Sequence, residues 1–188
     1  MSLFSKALPS SKRVLLYWFD QIPCVLFRNM WYTKSDVVDT FIKQEFSSEL
    51  QQLQISKPLT DNPYDILSNV IVYDQFPRNI FRNSPMSFSY ESLALSNANR
   101  LLDNSKINLD ATNNFSKYEW SFIYMPFMHS EKLQDQERSL EFFGKSHSFA
   151  KEHHDIIKRF NRFPHRNEIL GRKSTDDEIE FLKDFTGF

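Results

Sequence analysis

The chain has almost no glycine and almost no cysteine. Three glycines, Gly144, Gly171 and Gly187, serve all 188 residues. That excludes a phosphate-cradling loop or a Gly-rich dinucleotide fingerprint, both of which need several glycines within one turn. It also argues against an all-β fold, whose tight hairpins use glycine at positive φ. Cys24 stands alone, which leaves neither an internal disulfide nor a cysteine-rich zinc site. Among Ile22, Pro23, Val25 and Leu26 it reads as a buried, inert thiol. No charge of one sign dominates: 23 Lys and Arg stand against 24 Asp and Glu. A bulk basic field for capturing nucleic acid is therefore missing. The apolar run Val14–Phe19 is too short for a signal-peptide core or a membrane span. These absences describe a soluble, cytoplasmic protein with no membrane partner, folded as a single domain over residues 1–188.

What the chain has in plenty is aromatic rings, 15% of its residues and 19 of them Phe, so the core is expected to be built from flat side chains. Apolar residues recur at helical spacing throughout. Ser10 or Ser11 opens a first helix through Val14, Leu15, Trp18 and Phe19, and Ser35 opens a second with Val38, Phe41, Ile42 and Phe46. Asp61-Asn62-Pro63 gives a side-chain acceptor followed by proline in the first turn, where no donor is needed. The helix it starts carries Ile66, Leu67, Val70 and Ile71 and is interrupted at Pro77. A fourth helix is expected from about Ser87 to Leu102, then a polar loop, then a short helix over Tyr118–Tyr124 stopped by Pro126. A sixth, from Ser130, uses Leu133, Leu140 and Phe143 as its stripe, and a seventh runs from about Ser146 to Phe160. The last opens on a capping box, Thr175 with Glu178, and carries Ile179, Leu182 and Phe185. Nothing alternates with period two, so the fold class is all-α. Phe76-Pro77-Arg78-Asn79-Ile80 has an internal echo in Phe163-Pro164-His165-Arg166-Asn167.

Several polar residues look placed. Asp74 continues the buried stripe after Val70 and Ile71, with Arg78 and Arg82 close behind. A carboxylate on an apolar face must be paired or hydrogen-bonded. Glu137 sits in the same way between Leu133 and Leu140, and His154 between Ala150 and Ile157. His129 and Glu131 flank the start of the sixth helix, while Arg162, His165, Arg166 and Arg172 cluster around Phe163-Pro164. One reading is a buried network of arginine–carboxylate pairs tying helices together. A second is an anion site in which Arg78, Arg82, His154, Arg162, His165, Arg166 and Arg172 hold a phosphate, a carboxylate or an RNA backbone. A third is acid–base or metal chemistry by His129, Glu131, Glu137 and Asp74, although no His pair has the helical spacing of a strong metal motif. A protein partner would call for an exposed aromatic groove instead.

Three segments resemble one family. Val72–Arg82 is similar to the signature L-D-Q-F-P-R-N-I-F-R-G of domain of unknown function 924, a bacterial-type family. Tyr124–Glu131 with Gln136–Ser139 resembles its Y-M/L-P-F-M-H-S-E…Q-E-R-S segment. His154–Ile157 and Arg162–Thr175 resemble its H-x-x-I-I-x-R-F-G-R-F-P-H-R-N-x-x-L-G-R-x-S-T ending, and Leu15–Phe19 its opening. Asn83 and Asn161 stand where that pattern usually has glycine, and asparagine tolerates the left-handed conformation such turns need. The resemblance implies a stack of about eight helices similar to tetratricopeptide repeats. It implies no established activity and leaves the cofactor unknown, and its motif positions coincide with the polar set above.

Overall fold

A computed structural model describes residues 10–20, 29–55, 60–103 and 115–188. Cys24 and the polar loop after Asp103, residues 104–114, lie outside them. Every regular element among the described residues is helical. The α-helices are α1 (Ser10–Leu15), α2 (Asp36–Ile55), α3 (Pro63–Asp74), α4 (Phe76–Ile80), α5 (Glu91–Asp103), α6 (Lys117–His129), α7 (Leu133–Phe143), α8 (Ser148–Phe160) and α9 (Asp176–Asp184). A π-helical turn, Leu16–Asp20, continues α1, and short 3-10 turns cover Pro85–Phe88 and Pro164–Arg166. The architecture is all-α, and no described helix is long and apolar enough to cross a membrane.

Contacts group the chain into two compact units. The first holds the described residues up to Arg82 with those of 86–123, and the second holds Tyr124–Phe188 with Asn83–Pro85. In the first, α3 packs on α5, α1 and α4, and α2 packs on α4. The start of α3 follows the chemistry of its sequence: Asn62 accepts from the Tyr64 and Asp65 amides, and Pro63 fills the first turn. Its core is aromatic. Trp18 meets Phe76 and Phe122 edge-on at 5.8 and 5.5 Å, and Phe46 lies 4.9 Å from Phe76. Full burial of one such side chain contributes about 1.5–3 kcal/mol.

In the second unit α8 packs on α7, and α9 meets the Pro164–Arg166 turn. Asn161 ends α8 at φ 56 with its N–H on the Ile157 carbonyl, and Asn83 takes φ 61, the left-handed geometry expected of both. The two Phe-Pro segments play parallel parts: Phe76 and Phe163 are both fully buried, and each proline opens a short helical turn.

Four expectations need correction. Pro126 does not end α6, which continues to His129. The proline lacks only the N–H that would meet the Phe122 carbonyl, while its fixed φ suits a helix. Burial of Phe122, Ile123 and Phe127 outweighs that one lost bond. The helix expected from Ser87 begins at Glu91, after a 3-10 turn. On α7 the buried positions are Gln136 and Ser139, whereas Leu133 is exposed. Ile179, placed on the apolar stripe of α9, is half exposed.

Candidate functional site

Asp74, Arg78 and Arg82 fall in the first unit. Asp74 is buried as its stripe position requires, and accepts from the Gln75 side chain at 2.5 Å. Arg78 donates to the Asp74 carbonyl at 3.0 Å and to Glu91 Oε1 at 2.6 Å. Arg82 forks onto Asp39 through Nε and through Nη2 at 2.7 Å, and Asn79 donates to the same carboxylate at 2.8 Å. Burial alone would raise the Asp39 carboxyl, but those hydrogen bonds and the Arg82 charge hold it below its ordinary range. Arg13, with Glu49 and Glu45, adds another pair. Both motif arginines of this unit are thus committed to carboxylates.

The second unit brings together most of the remaining set. Glu131 receives Arg172 Nη1 at 2.6 Å and Nη2 at 2.9 Å, and the Phe163 amide at 2.8 Å. Arg172 also donates to the Phe163 carbonyl at 3.1 Å, so one ion pair clamps both polar groups of a single peptide residue. Burial pushes the Glu131 carboxyl up, while Arg172, the Phe163 amide and the Arg166 charge pull it below its ordinary value. Arg162 forks onto Glu178 at 2.5 and 2.6 Å. Glu178 accepts as well from the Thr175 amide at 2.7 Å and from Asn167 at 3.3 Å, completing the expected capping box. Its carboxyl is driven down to about 2, chiefly by the Arg162 hydrogen bonds.

Beside these clamps lies a cluster centred on the Phe163 ring. His153 touches it edge-on at 5.5 Å, His165 lies at 5.5 Å, and the Arg166 guanidinium sits 4.4 Å over it. Arg166 donates to the His129 carbonyl at 3.0 Å, and the His129 and His153 rings are 6.4 Å apart. Arg166 is 3% exposed and His153 5%. Burial, followed by the charges of His129, Arg166 and His165, depresses the His153 imidazole to about 3, so it is neutral at physiological pH. Nearby on α7, Gln136 Nε2 donates to the Met128 and Ser130 carbonyls at 2.7 Å each. Its Oε1 and the Ser139 hydroxyl are buried without a hydrogen-bond partner.

Two sequence expectations fail here. Glu137 is exposed: it shares the solvent side of α7 with Leu133, while Gln136 and Ser139 face inward. It does not join Glu131. His154 is less buried than its neighbour and pairs with Asp155 at 3.0 Å; the inward histidine is His153. The H-x-x-I-I spacing, counted back from Ile156-Ile157, falls on His153 and was the signal that could have found it. Glu178 was legible only as a cap, and Asp39 and Glu91 carried no signal as arginine partners. Among the described residues no three His, Cys, Asp or Glu side chains gather as a metal site. An open groove of about 450 Å³ runs along another face of α8, lined by Ile156, Arg159, Phe160 and Phe181.

An all-α protein with paired arginines in both units and a buried His/Arg cluster in the second is the class this geometry defines. The chain belongs to the family described as "Bacterial protein of unknown function (DUF924)", which it matches over residues 14–185. A solved structure of a protein of unknown function, ATU0120 from Agrobacterium tumefaciens, is similar to it at 26% identity, with a TM-score of 0.81. That likeness covers 93% of this chain and 97% of the other. No curated protein matches the chain.

Proposed function

We propose that this helical, tetratricopeptide-like protein binds a small anionic compound, a carboxylate or a phosphate, at the Phe163-centred cluster of His129, His153, His165 and Arg166. The observation that carries the reading is the gathering of the His153 and His165 imidazoles and the Arg166 guanidinium around one buried ring, with the His129 ring beside His153. Arg78, Arg82, Arg162 and Arg172 serve a different purpose: each is matched to a carboxylate, and Arg78, Arg162 and Arg172 also hold a backbone carbonyl. Such pairs order a fold and leave little charge for a ligand. The depth of Arg166 favours a small molecule over an RNA backbone, since a continuous polymer cannot reach a side chain that is 3% exposed. The acid–base alternative finds no support in Glu131. A carboxylate held below its ordinary range by Arg172 stays ionised at neutral pH and makes a poor proton donor, and with both oxygens taken by Arg172 and the Phe163 amide it is poorly placed to accept a proton.

Thermal shift against inorganic phosphate and acetate tests this. A ligand present at about a hundred times its Kd stabilises the native state by about 2.7 kcal/mol. The shift is expected in the wild type and in Arg78→Gln, and is lost in Arg166→Gln and His165→Gln. A shift lost in Arg78→Gln but kept in Arg166→Gln, or no shift with either anion, overturns the assignment.

A further inference from the structure

The cluster is covered by the segment that follows α9, and the cover consists of two rings matched to two histidines. Phe185 stacks on His165 with ring centroids 5.2 Å apart and planes 16° apart. Phe188 stacks on His153 at 3.5 Å and 21°. Gly187, at φ 92, lies between them in a conformation that a side-chain-bearing residue would resist. Phe188 also lies edge-on to Phe163 at 6.2 Å and to His165 at 5.6 Å. Its ring therefore sits beside three members of the cluster, His153, Phe163 and His165.

We propose that the place held by the Phe188 ring is a subsite for a planar aromatic ring bearing an anionic group, an aryl phosphate or aryl carboxylate, and that Phe188 is its displaceable cover. This rests on the anion-binding reading above and narrows it. Three observations support it. Phe188 is 46% exposed, so lifting it away breaks one stacked face and three edge contacts, to Phe163, His165 and Phe185, rather than a closed core. The surface beneath it is a neutral imidazole, which offers a ring a flat aromatic face rather than a point charge. A ligand ring in the same place would regain that stack and add an anionic group beside His165, a polar contact that the hydrocarbon side chain of Phe188 cannot make. His129, His153, His165 and Arg166 all fall inside the matched residues 14–185, and Phe188 falls outside them.

Calorimetric titration of the wild type, Phe188→Ala and Phe188→Leu with phenyl phosphate, benzoate, inorganic phosphate and benzyl alcohol decides the matter. Removing a competing ring should tighten phenyl phosphate or benzoate about three- to tenfold, the worth of one aromatic contact. Whichever of the two gains more identifies the anionic group. Inorganic phosphate should bind all three proteins alike, and benzyl alcohol should bind none. The His153 ring resonances should lose their ring-current shift in Phe188→Ala and regain it with the aryl ligand, which also shows that the variant is folded. Aryl ligands that bind all three proteins no better than inorganic phosphate overturn the ring subsite and leave the anion site standing. If no anion binds any of the three proteins, both readings fall.

Discussion

Around Trp18 the interior is made mainly of rings and aliphatic side chains, with one buried ion pair, Arg13–Glu49, set against Phe46. Around Phe163 it is wired: among the described residues of the second unit, seven polar side chains are buried beside nine apolar ones. The first unit buries Trp18, Phe46, Phe76 and Phe122 almost completely. The second buries Gln136, Ser139, His153, Arg166, Asn167 and Glu178 alongside Phe127, Ile157 and Phe163. Apolar burial is non-directional and indifferent to protons, whereas a polar interior holds only while each donor, acceptor and charge keeps its partner. The two regions should therefore respond to different perturbations.

The largest effect is expected in the first unit. Trp18→Ala removes a ring packed on Phe76 and Phe122 and should cost about 3–5 kcal/mol in urea denaturation. That cost should be the same at pH 7 and pH 5, because nothing in it titrates. Trp18→Phe should cost far less, since the buried indole N–H has no acceptor to lose. A strong pH dependence of the Trp18→Ala cost would break the comparison.

The two units also differed in how readily the sequence disclosed them. Periodicity carries the first well, because its stripes are continuous: Ile66, Leu67, Val70 and Ile71 on α3 lie where a 3.6-residue repeat puts them, and Asn62 caps it as its chemistry requires. In the second unit the same rule misleads. The inward face of α7 is Gln136 and Ser139, so a stripe drawn through Leu133 and Leu140 takes Glu137 with it to the wrong side. The choice between His153 and His154 turns on one residue of register, about 100° of rotation on a helix. Motif resemblance located the polar set, but no sequence rule pairs Arg172 with Glu131 across forty-one positions. Those partners are fixed by tertiary packing and became legible only in three dimensions.

Acid separates the units next. His153 titrates near 6.5 in the unfolded chain and near 3 in the folded one, so as pH falls the unfolded state takes up the proton first. Its contribution is constant above about 6.5, and stability is lost as pH falls from there toward 3, by at most about 1.4 kcal/mol per pH unit for one proton. Glu178, held near 2, adds a loss of the same sign only below its ordinary 4.5, and Asp39 of the first unit only below 3.8. The interval from 6.5 to 4.5 therefore belongs to the second unit. Stability measured by urea denaturation should fall across that interval in the wild type and stay nearly flat in His153→Gln. An unchanged slope in the variant would remove His153 as the cause.

The smallest effect sharpens the comparison furthest. Asn62 and Thr175 both cap helices through a side-chain oxygen, and removing such a cap ordinarily costs about 1 kcal/mol. Asn62 caps α3 at an exposed position, accepting from two backbone amides. Thr175 belongs to a network: its partner Glu178 also receives Arg162, Asn167 and the Thr175 amide. Loss of the Thr175 hydroxyl lets the first turn of α9 drift, and a drifting Glu178 loosens every bond that converges on it. Thr175→Ala should therefore lower the melting temperature by more than Asn62→Ala does. It should also raise amide exchange at Arg162 and Asn167, while exchange near Asn62 changes only within the first turn of α3. Equal costs for the two caps, with exchange changes confined to the first turn in both, would mean that the polar core of the second unit is a set of independent pairs rather than a wired whole.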